Sequence, residues 1–256
     1  MTVVLSRPMS FGYHWWRTSI DFCLATYGVK RMTSETQKDS LVEGYSDLWR
    51  IVYCELERRI LGGQYASGSK LVETDLSEDL GVSRGPVRRA LVELANNSLV
   101  VLESRKTART IRVEEINVNA LIDTVGALEC AAIKGFAENS RFPEIAQFEA
   151  IQSDLEEALN SDDLLQAVNL DFCFHQTLVF SSNNYWLQKA WSSMVPPMKL
   201  LMLRTIQVDP TLAGLQGHHR LIINHLSSRN VEGSIIELSV HFEDVRRVAS
   251  RIDRNL

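Results

Sequence analysis

The sequence contains no long hydrophobic run. A membrane-spanning helix needs roughly 18 consecutive apolar residues, and no segment of the 256-residue chain approaches that length. Arginines and aromatic residues interrupt the apolar stretches of residues 1–25, which is atypical of a secretory signal peptide. The sequence therefore predicts a cytoplasmic protein that does not associate with membranes.

Cysteine pairs and internal repeats are also absent. The four cysteines are scattered and form no CxxC pair, so neither a cysteine-based zinc module nor a disulfide framework is predicted. No internal repeat or low-complexity segment is evident. Hydrophobic residues make up 45% and charged residues 23% of the chain, values typical of a globular protein. The length fits two folded units and a tail.

The chain lacks an overall excess of positive charge, with a net charge of -5. This charge is unevenly distributed. Residues 44–113 carry 11 Lys and Arg against 9 Asp and Glu, whereas residues 114–256 carry 11 against 19. Such an asymmetry favours different partners for the two parts of the chain.

Residues 1–43 show no clean periodicity and end in a polar stretch, which predicts a largely disordered tail. Met32 lies just before that stretch. One hypothesis is that translation begins at Met32 and that residues 1–31 are not part of the native protein. Sequencing the N-terminus of the native protein tests this.

Residues 44–113 predict a winged helix-turn-helix with a small β-hairpin wing. Three helices are expected from apolar residues at helical spacing: Leu48, Ile51, Val52, Leu56 and Ile60, then Leu71, Leu76 and Leu80, then Val87, Leu91 and Leu94. Gly81 ends the second helix, and Ser83 is a suitable N-cap for the third. The β-rich runs 99–102 and 110–113 are separated by a polar stretch that includes residues 103–107, which predicts a hairpin.

The third helix begins with a cluster of arginines. Arg84 and Arg88 are four residues apart and project from one face of the helix. The major groove of DNA admits an α-helix, and arginine is the side chain best suited to bidentate contact with guanine or phosphate. The helix N-terminus adds free backbone N–H groups for a phosphate. Solvated surface charges are the alternative explanation for these arginines.

The segment Leu80-Gly-Val-Ser-Arg-Gly-Pro-Val-Arg-Arg-Ala-Leu91 resembles the DNA-binding domain of the GntR family of bacterial transcription regulators. The resemblance extends over about 70 residues and implies that Arg84 and Arg88 contact bases or phosphates. The complete set of expected DNA-binding residues is Ser83, Arg84, Gly85, Arg88, Arg89, Arg105 and Lys106.

Residues 114–256 predict an antiparallel all-helical bundle. Six amphipathic segments are expected near residues 116–138, 143–160, 163–181, 184–206, 211–227 and 230–254. Prolines and a glycine are expected as breaks or first-turn residues of these helices, namely Pro143, Pro196, Pro197, Pro210 and Gly233.

Four residues of the predicted bundle form a candidate metal site. Asp171 and His175 are four residues apart on one helix face. His219 and His241 are 22 residues apart, which fits two adjacent antiparallel helices. One carboxylate and three imidazoles suit a divalent ion such as Zn²⁺, Ni²⁺ or Mn²⁺.

Together with Leu128 and Glu129, these four residues resemble the FCD domain, the effector domain of the FadR-type branch of GntR regulators. The resemblance implies a small effector, an organic acid or related metabolite, bound beside the metal. Where many members place an arginine, this chain has Val125. Arg204 and Arg220 are therefore candidate effector-binding residues.

The favoured function is a homodimeric, double-stranded DNA-binding transcription regulator, and not an enzyme. A metal-dependent hydrolase is the first alternative, although no separate Glu, Asp or His is spaced as an evident general base. A sensor that binds a ligand without a metal is the second. The effector, the operator, the metal and the choice between repression and activation are not determined by the sequence.

Overall fold

The computed structural model describes residues 44–104, 107–138, 143–208 and 216–250. The expected tail, residues 1–43, and the two wing residues Arg105 and Lys106 lie outside this part of the chain. None of the described helices is long and apolar enough to cross a membrane.

The N-terminal part is a winged helix-turn-helix. It contains α1 (Gly44–Leu61), β1 (Lys70–Val72), α2 (Glu73–Leu80), α3 (Arg84–Asn96), β2 (Val100–Ser104) and β3 (Thr107–Thr110). The strands form an antiparallel sheet in the order β1-β3-β2. Helix α3 packs against both α1 and α2, and its inward residues Val87, Leu91 and Leu94 are buried as predicted.

The turn between α2 and α3 follows from local sequence. Gly81 adopts the left-handed conformation with φ 64°, and its N–H bonds to Glu78 O. Glycine tolerates this conformation without steric cost, so it ends α2 sharply. Ser83 is extended and precedes α3, but its side chain makes no cap hydrogen bond. Pro86 lies in the first turn of α3, where its missing N–H leaves no bond unmade.

Three sequence predictions in this part were wrong. Leu71 lies in β1 and not in a helix, because it pairs with Ala108 of β3. A three-residue strand is too short to show an alternating pattern. The last strand spans Thr107–Thr110, about three residues earlier than expected. Ile51 was expected in the core, but it is 39% exposed.

The C-terminal part contains the six predicted helices. They are α4 (Val118–Glu138), α5 (Ile145–Asn160), α6 (Leu164–Ser181), α7 (Tyr185–Val208), α8 (Gln216–Ser227) and α9 (Val231–Ala249), preceded by a short 3-10 turn at Val113–Glu115. Helix α6 packs against α4, α5 and α7. Its central position explains why residues on nearly every face of α6 are buried.

Pro196 and Pro197 do not break the helix, contrary to the prediction. Both lie inside α7, which continues for 24 residues. Each proline removes a backbone hydrogen bond from the helix. The surrounding residues Val195, Met198 and Leu201 are buried, and this packing offsets the lost bonds.

The two parts share one continuous hydrophobic core. Helix α1 of the N-terminal part packs against α7 of the bundle. A small cleft at this contact is lined by seven residues: Cys54, Glu57, Arg58, Leu61, Leu165, Asn169 and Lys199. Helix α3 and the bundle are therefore joined through α1.

Candidate metal centre and DNA-recognition surface

The bundle brings the four predicted metal ligands together. Asp171 and His175 lie on α6, His219 on α8 and His241 on α9. One potential ligand atom from each side chain lies within 4.8 Å of the others. Ligand atoms about 2.1 Å from a metal ion are separated by about 3 to 4.2 Å from each other, so a small inward movement would complete the site.

The three imidazoles surround one point. Their ring centroids lie 5.0 to 5.2 Å apart, and all three side chains are buried. Helix α9 packs against both α4 and α8, and α6 packs against α4. The helices that carry the ligands are thus held by the bundle core and not by loops.

His219 has a surrounding that favours metal coordination. It is fully buried and stacks on Phe174, with ring centroids 4.1 Å apart and an interplanar angle of 4°. Neither ring nitrogen has a hydrogen-bond partner among the described residues. Burial and the nearby histidines lower the pKa of His219 well below its ordinary value. A neutral imidazole with an available lone pair is the form that binds a metal.

The buried carboxylate of Glu129 orients His175. The sequence had not assigned Glu129 to the metal site. Glu129 of α4 is fully buried, and its Oε2 lies 2.6 Å from His175 Nδ1. Its Oε1 accepts a hydrogen bond of 2.8 Å from Trp191 Nε1. Such a carboxylate holds a ligating histidine in one orientation and raises its basicity. The sequence indicated Glu129 only through the resemblance to the FCD domain.

Burial and Glu129 shift the pKa of His175 in opposite directions. Burial lowers the pKa of His175, but the charge and hydrogen bond of Glu129 outweigh it and raise the pKa to about 9. Asp171 lies on the more open side of the cluster, with its side chain 18% exposed. Burial raises the pKa of Asp171 to about 6, and its Oδ1 lies 3.4 Å from His219 Nε2.

His218 is held outside this cluster, as expected of the neighbour of a ligand on a helix. Its Nδ1 lies 2.5 Å from Glu237 Oε1, and its Nε2 lies 3.1 Å from Asp244 Oδ2. Both of its nitrogens are therefore engaged by carboxylates of α9.

The two expected effector-binding arginines do not accompany the metal ligands. Arg220 follows His219 on α8, and its side chain is 62% exposed and paired with Glu156 of α5. Successive residues of a helix point about 100° apart, which turns Arg220 to the surface. Arg204 lines a different cleft together with Tyr65 and Ser67, facing the winged helix-turn-helix. The structure therefore does not bring Arg204 and Arg220 to the metal ligands, and an effector role for them stays a prediction.

The N-terminus of α3 presents the expected DNA-binding residues at the surface. Ser83, Arg84 and Gly85 are exposed. Arg84 makes no ion pair with any other described residue. Exposed backbone and an available guanidinium at a helix start suit a phosphate or a base edge.

The other two arginines of α3 have partners within the domain. Arg88 is exposed, but Glu73 at the start of α2 binds its guanidinium through two hydrogen bonds. Arg89 lies over the indole ring of Trp49 in α1, with its Cζ 4.2 Å from the ring centroid. The sequence signalled neither contact, because both partners come from other helices.

Arg109 of the wing also turns inward. It pairs with Glu115 at 2.8 Å and with Glu103 at 3.2 Å, and its side chain is only 16% exposed. Its two acidic partners make Arg109 a structural residue that joins the wing to the 3-10 turn.

Comparisons with known proteins agree with this architecture. The model of the bacterial regulatory proteins of the gntR family matches residues 49–109, and the FCD domain model matches residues 120–244. The chain belongs to the GntR family. All four clustered metal-ligand candidates fall within the FCD match. This GntR protein is a transcription regulator and not an enzyme.

Curated relatives support the assignment over most of the chain. The gluconate operon transcriptional repressor of Bacillus subtilis is 25% identical over 202 residues, which cover 77% of this chain and 82% of the relative. The HTH-type transcriptional regulator McbR of Escherichia coli is 25% identical over 188 residues, or 70% of this chain and 82% of McbR.

Solved structures show the same fold. Escherichia coli McbR/YncC superposes with a TM-score of 0.69 at 19% identity, covering 80% of this chain and 97% of McbR. A GntR regulator of a Rhodococcus species also gives a TM-score of 0.69, at 21% identity, covering 80% of this chain and 98% of that chain.

Proposed function

We propose that this GntR-family regulator binds a divalent metal ion through Asp171, His175, His219 and His241, and that a small organic acid bound beside the ion changes its affinity for an operator. The observation that carries the proposal concerns the two ring nitrogens of His219. Its two buried ring nitrogens have no hydrogen-bond partner among the described residues, and burying an unsatisfied polar group is costly. A metal ion would satisfy it.

The donor set fits a first-row divalent cation. Three imidazoles and one carboxylate are the ligands of Zn²⁺, Ni²⁺ or Mn²⁺. When bound, such an ion would supply positive charge and an open position for an anionic ligand. Glu129 engages Nδ1 of His175, which would leave Nε2 as the nitrogen that binds the ion.

An organic acid is the effector class that this arrangement favours. The candidate arginines Arg204 and Arg220 lie elsewhere, so the metal itself would supply the positive charge for a carboxylate. The Bacillus subtilis relative bears the name of the gluconate operon, and gluconate is such a carboxylate.

The DNA-binding function is proposed to reside in Ser83, Arg84, Gly85, Arg88 and Arg89, with Arg105 and Lys106 of the wing following the adjacent backbone. We expect a homodimer that places two α3 helices in half-sites about one DNA turn apart. Effector binding would alter the placement of these two helices.

A chain of buried and half-buried polar side chains provides a route between the two parts. Lys199 of α7 donates a hydrogen bond of 2.9 Å to Asn169 of α6, two residues before Asp171. Lys199 and Glu57 of α1 line the same cleft and attract each other electrostatically. Tyr53 donates to Glu57 at 3.3 Å and accepts from Asn97, which caps the end of α3, at 2.9 Å.

Metal analysis of the purified full chain tests the metal proposal. The wild type should retain one divalent ion per chain or bind one on titration, and His219→Ala should lose it. His218→Ala is the matched control, because His218 is the adjacent histidine and is engaged outside the cluster. A chain that binds no ion would favour a metal-free sensor. A His219→Ala variant that binds the ion as the wild type does would show that His219 is not a ligand.

A further inference from the structure

Glu73 forms a bidentate ion pair with the side-on edge of the Arg88 guanidinium, through Nε and Nη2. Arg88 Nε lies 2.9 Å from Glu73 Oε1, and Arg88 Nη2 lies 2.8 Å from Glu73 Oε2. The Arg88 side chain is nevertheless 58% exposed, whereas the Glu73 side chain is only 6% exposed. The buried member of the pair is thus the carboxylate, and the exposed member is the arginine.

Glu73 is fixed relative to α3 by its place in the fold. It is the first residue of α2, directly after β1, and its carbonyl accepts a hydrogen bond of 2.5 Å from Ser77 Oγ. A buried carboxylate is costly unless it is paired. The two hydrogen bonds from Arg88 meet this requirement, so each side chain restricts the other.

The ion pair with Glu73 leaves one edge of the Arg88 guanidinium available. An arginine has five N–H donors in a planar fork. Glu73 uses the Nε–H and one hydrogen of Nη2, which leaves the other Nη2 hydrogen and both Nη1 hydrogens. One hydrogen of Nη1 and the remaining hydrogen of Nη2 form the end-on edge of the fork, and these two parallel donors match the O6 and N7 acceptors of guanine.

We propose that Glu73 is a positioning residue for sequence recognition: it presents Arg88 end-on to a guanine in the major groove. This inference rests on the proposed DNA-contact residues. A preorganised arginine loses less side-chain freedom on binding than a free one. The paired arginine also becomes selective, because a guanidinium held by two hydrogen bonds to Glu73 cannot turn toward a nearby phosphate. Arg84, which has no such partner among the described residues, serves the sequence-independent contact.

The test begins with a duplex selected by the wild-type protein from random-sequence DNA. Dissociation constants are then measured at fixed salt for this duplex, for its single-base-pair variants and for an unrelated duplex. Glu73→Gln should lose roughly tenfold in affinity for the selected duplex, keep or increase its affinity for the unrelated duplex, and lose discrimination at one G·C pair. Arg88→Ala should lose discrimination at the same pair.

Glu78→Gln is the matched control. It removes the same charge from the same helix, but Glu78 is exposed and forms no ion pair among the described residues. It should change the affinities for both duplexes alike and keep the discrimination. Its thermal unfolding midpoint, together with that of Glu73→Gln, shows that the domain remains folded.

A double variant separates positioning from general support of the fold. In the Arg88→Ala background, Glu73→Gln should cause no further loss of discrimination, because the side chain that it positions is gone. If the loss persists there, or if Glu73→Gln alone retains the wild-type discrimination, the positioning role is wrong. If no duplex is enriched, or if Arg88→Ala binds as the wild type does, the proposed DNA contacts themselves fail and the inference fails with them.

Discussion

Single side chains at the start of α3 have different surroundings despite their similar sequence. Arg84 is exposed and makes no ion pair among the described residues. Arg88 forms an ion pair with Glu73. Arg89 lies over the ring of Trp49. An arginine in an ion pair or over an aromatic ring has lost part of its freedom before DNA arrives. The three are therefore expected to contribute unequally to DNA binding.

Arg84→Ala should weaken operator binding roughly 5- to 150-fold without changing the thermal stability of the protein. Because Arg84 is assigned to the sequence-independent contact, the loss should be nearly uniform across sequences, and the salt dependence of binding should fall by about one counterion. Fluorescence anisotropy at several salt concentrations measures both. Arg220→Ala, which removes an exposed arginine from the bundle, is the control, and equal affinities of the two variants would contradict the assignment.

Glu129→Gln should weaken metal binding by about 10- to 100-fold, because the amide orients His175 less strongly than the carboxylate does. Competition with a chromogenic chelator measures the affinity. Glu237→Gln is the matched control, since Glu237 holds His218 outside the cluster. Unchanged metal affinity in Glu129→Gln would show that His175 is not oriented through this bond.

At the scale of elements, the two glycines near the junction of α2 and α3 have opposite roles: Gly81 lies in the turn, and Gly85 lies in the first turn of α3. Gly81 has φ 64° and open space around its missing side chain, so its constraint is the backbone conformation. Gly85 has an ordinary backbone, and no atom lies within 4 Å of where a side chain would begin. Within the described part of the protein, neither the backbone conformation nor the packing requires glycine at position 85.

Gly81→Ala should lower the free energy of unfolding by about 1 kcal/mol, because alanine is strained in the left-handed region. Gly85→Ala should instead raise it by about 0.5 to 1 kcal/mol through helix propensity. Its added methyl group would meet the DNA backbone, so operator affinity should fall although stability rises. Thermal unfolding and anisotropy measure the two effects, and a Gly85→Ala variant that binds normally would place DNA elsewhere.

At the scale of the whole molecule, the contact between α1 and α7 contains opposite charges. Lys199 is 5% exposed, and burial lowers its pKa while Glu57 opposes this shift. Burial likewise raises the pKa of Glu57, opposed by Lys199. A buried lysine and a half-buried carboxylate that attract each other respond to small changes in spacing, since their attraction is strong where water is largely excluded. This contact is suited to transmit a movement of α6 or α7 to α1.

A double-mutant cycle of Glu57→Gln and Lys199→Gln should give an interaction free energy of about 0.5 to 3 kcal/mol in stability. Either single variant should also reduce the change in operator affinity that metal addition produces. The exposed pair Arg220 and Glu156 is the control cycle and should give about 1 kcal/mol or less. An additive Glu57 and Lys199 cycle, with metal response intact, would exclude this route.

Much of the molecule was predictable because it is encoded locally. The six helices of the bundle follow from apolar periodicity, and the Gly81 turn follows from one residue type. The clustering of Asp171, His175, His219 and His241 was anticipated from their spacing and the resemblance. The prediction failed at Leu71 because a three-residue strand is too short to show a sequence pattern. It failed at Pro196 and Pro197 because packing in the bundle outweighs the helix-breaking tendency of proline.

The sequence by itself determined the order of the elements, the family and the residues that could carry the chemistry. Only the tertiary structure decided which partner each of those residues has. Glu129 reaches His175 from 46 residues away and Trp191 from 62, and Glu73 reaches Arg88 across a helix boundary. The physical reason is that periodicity reports the face of a helix that is buried, whereas a side chain's partner depends on which other helix is packed against that face.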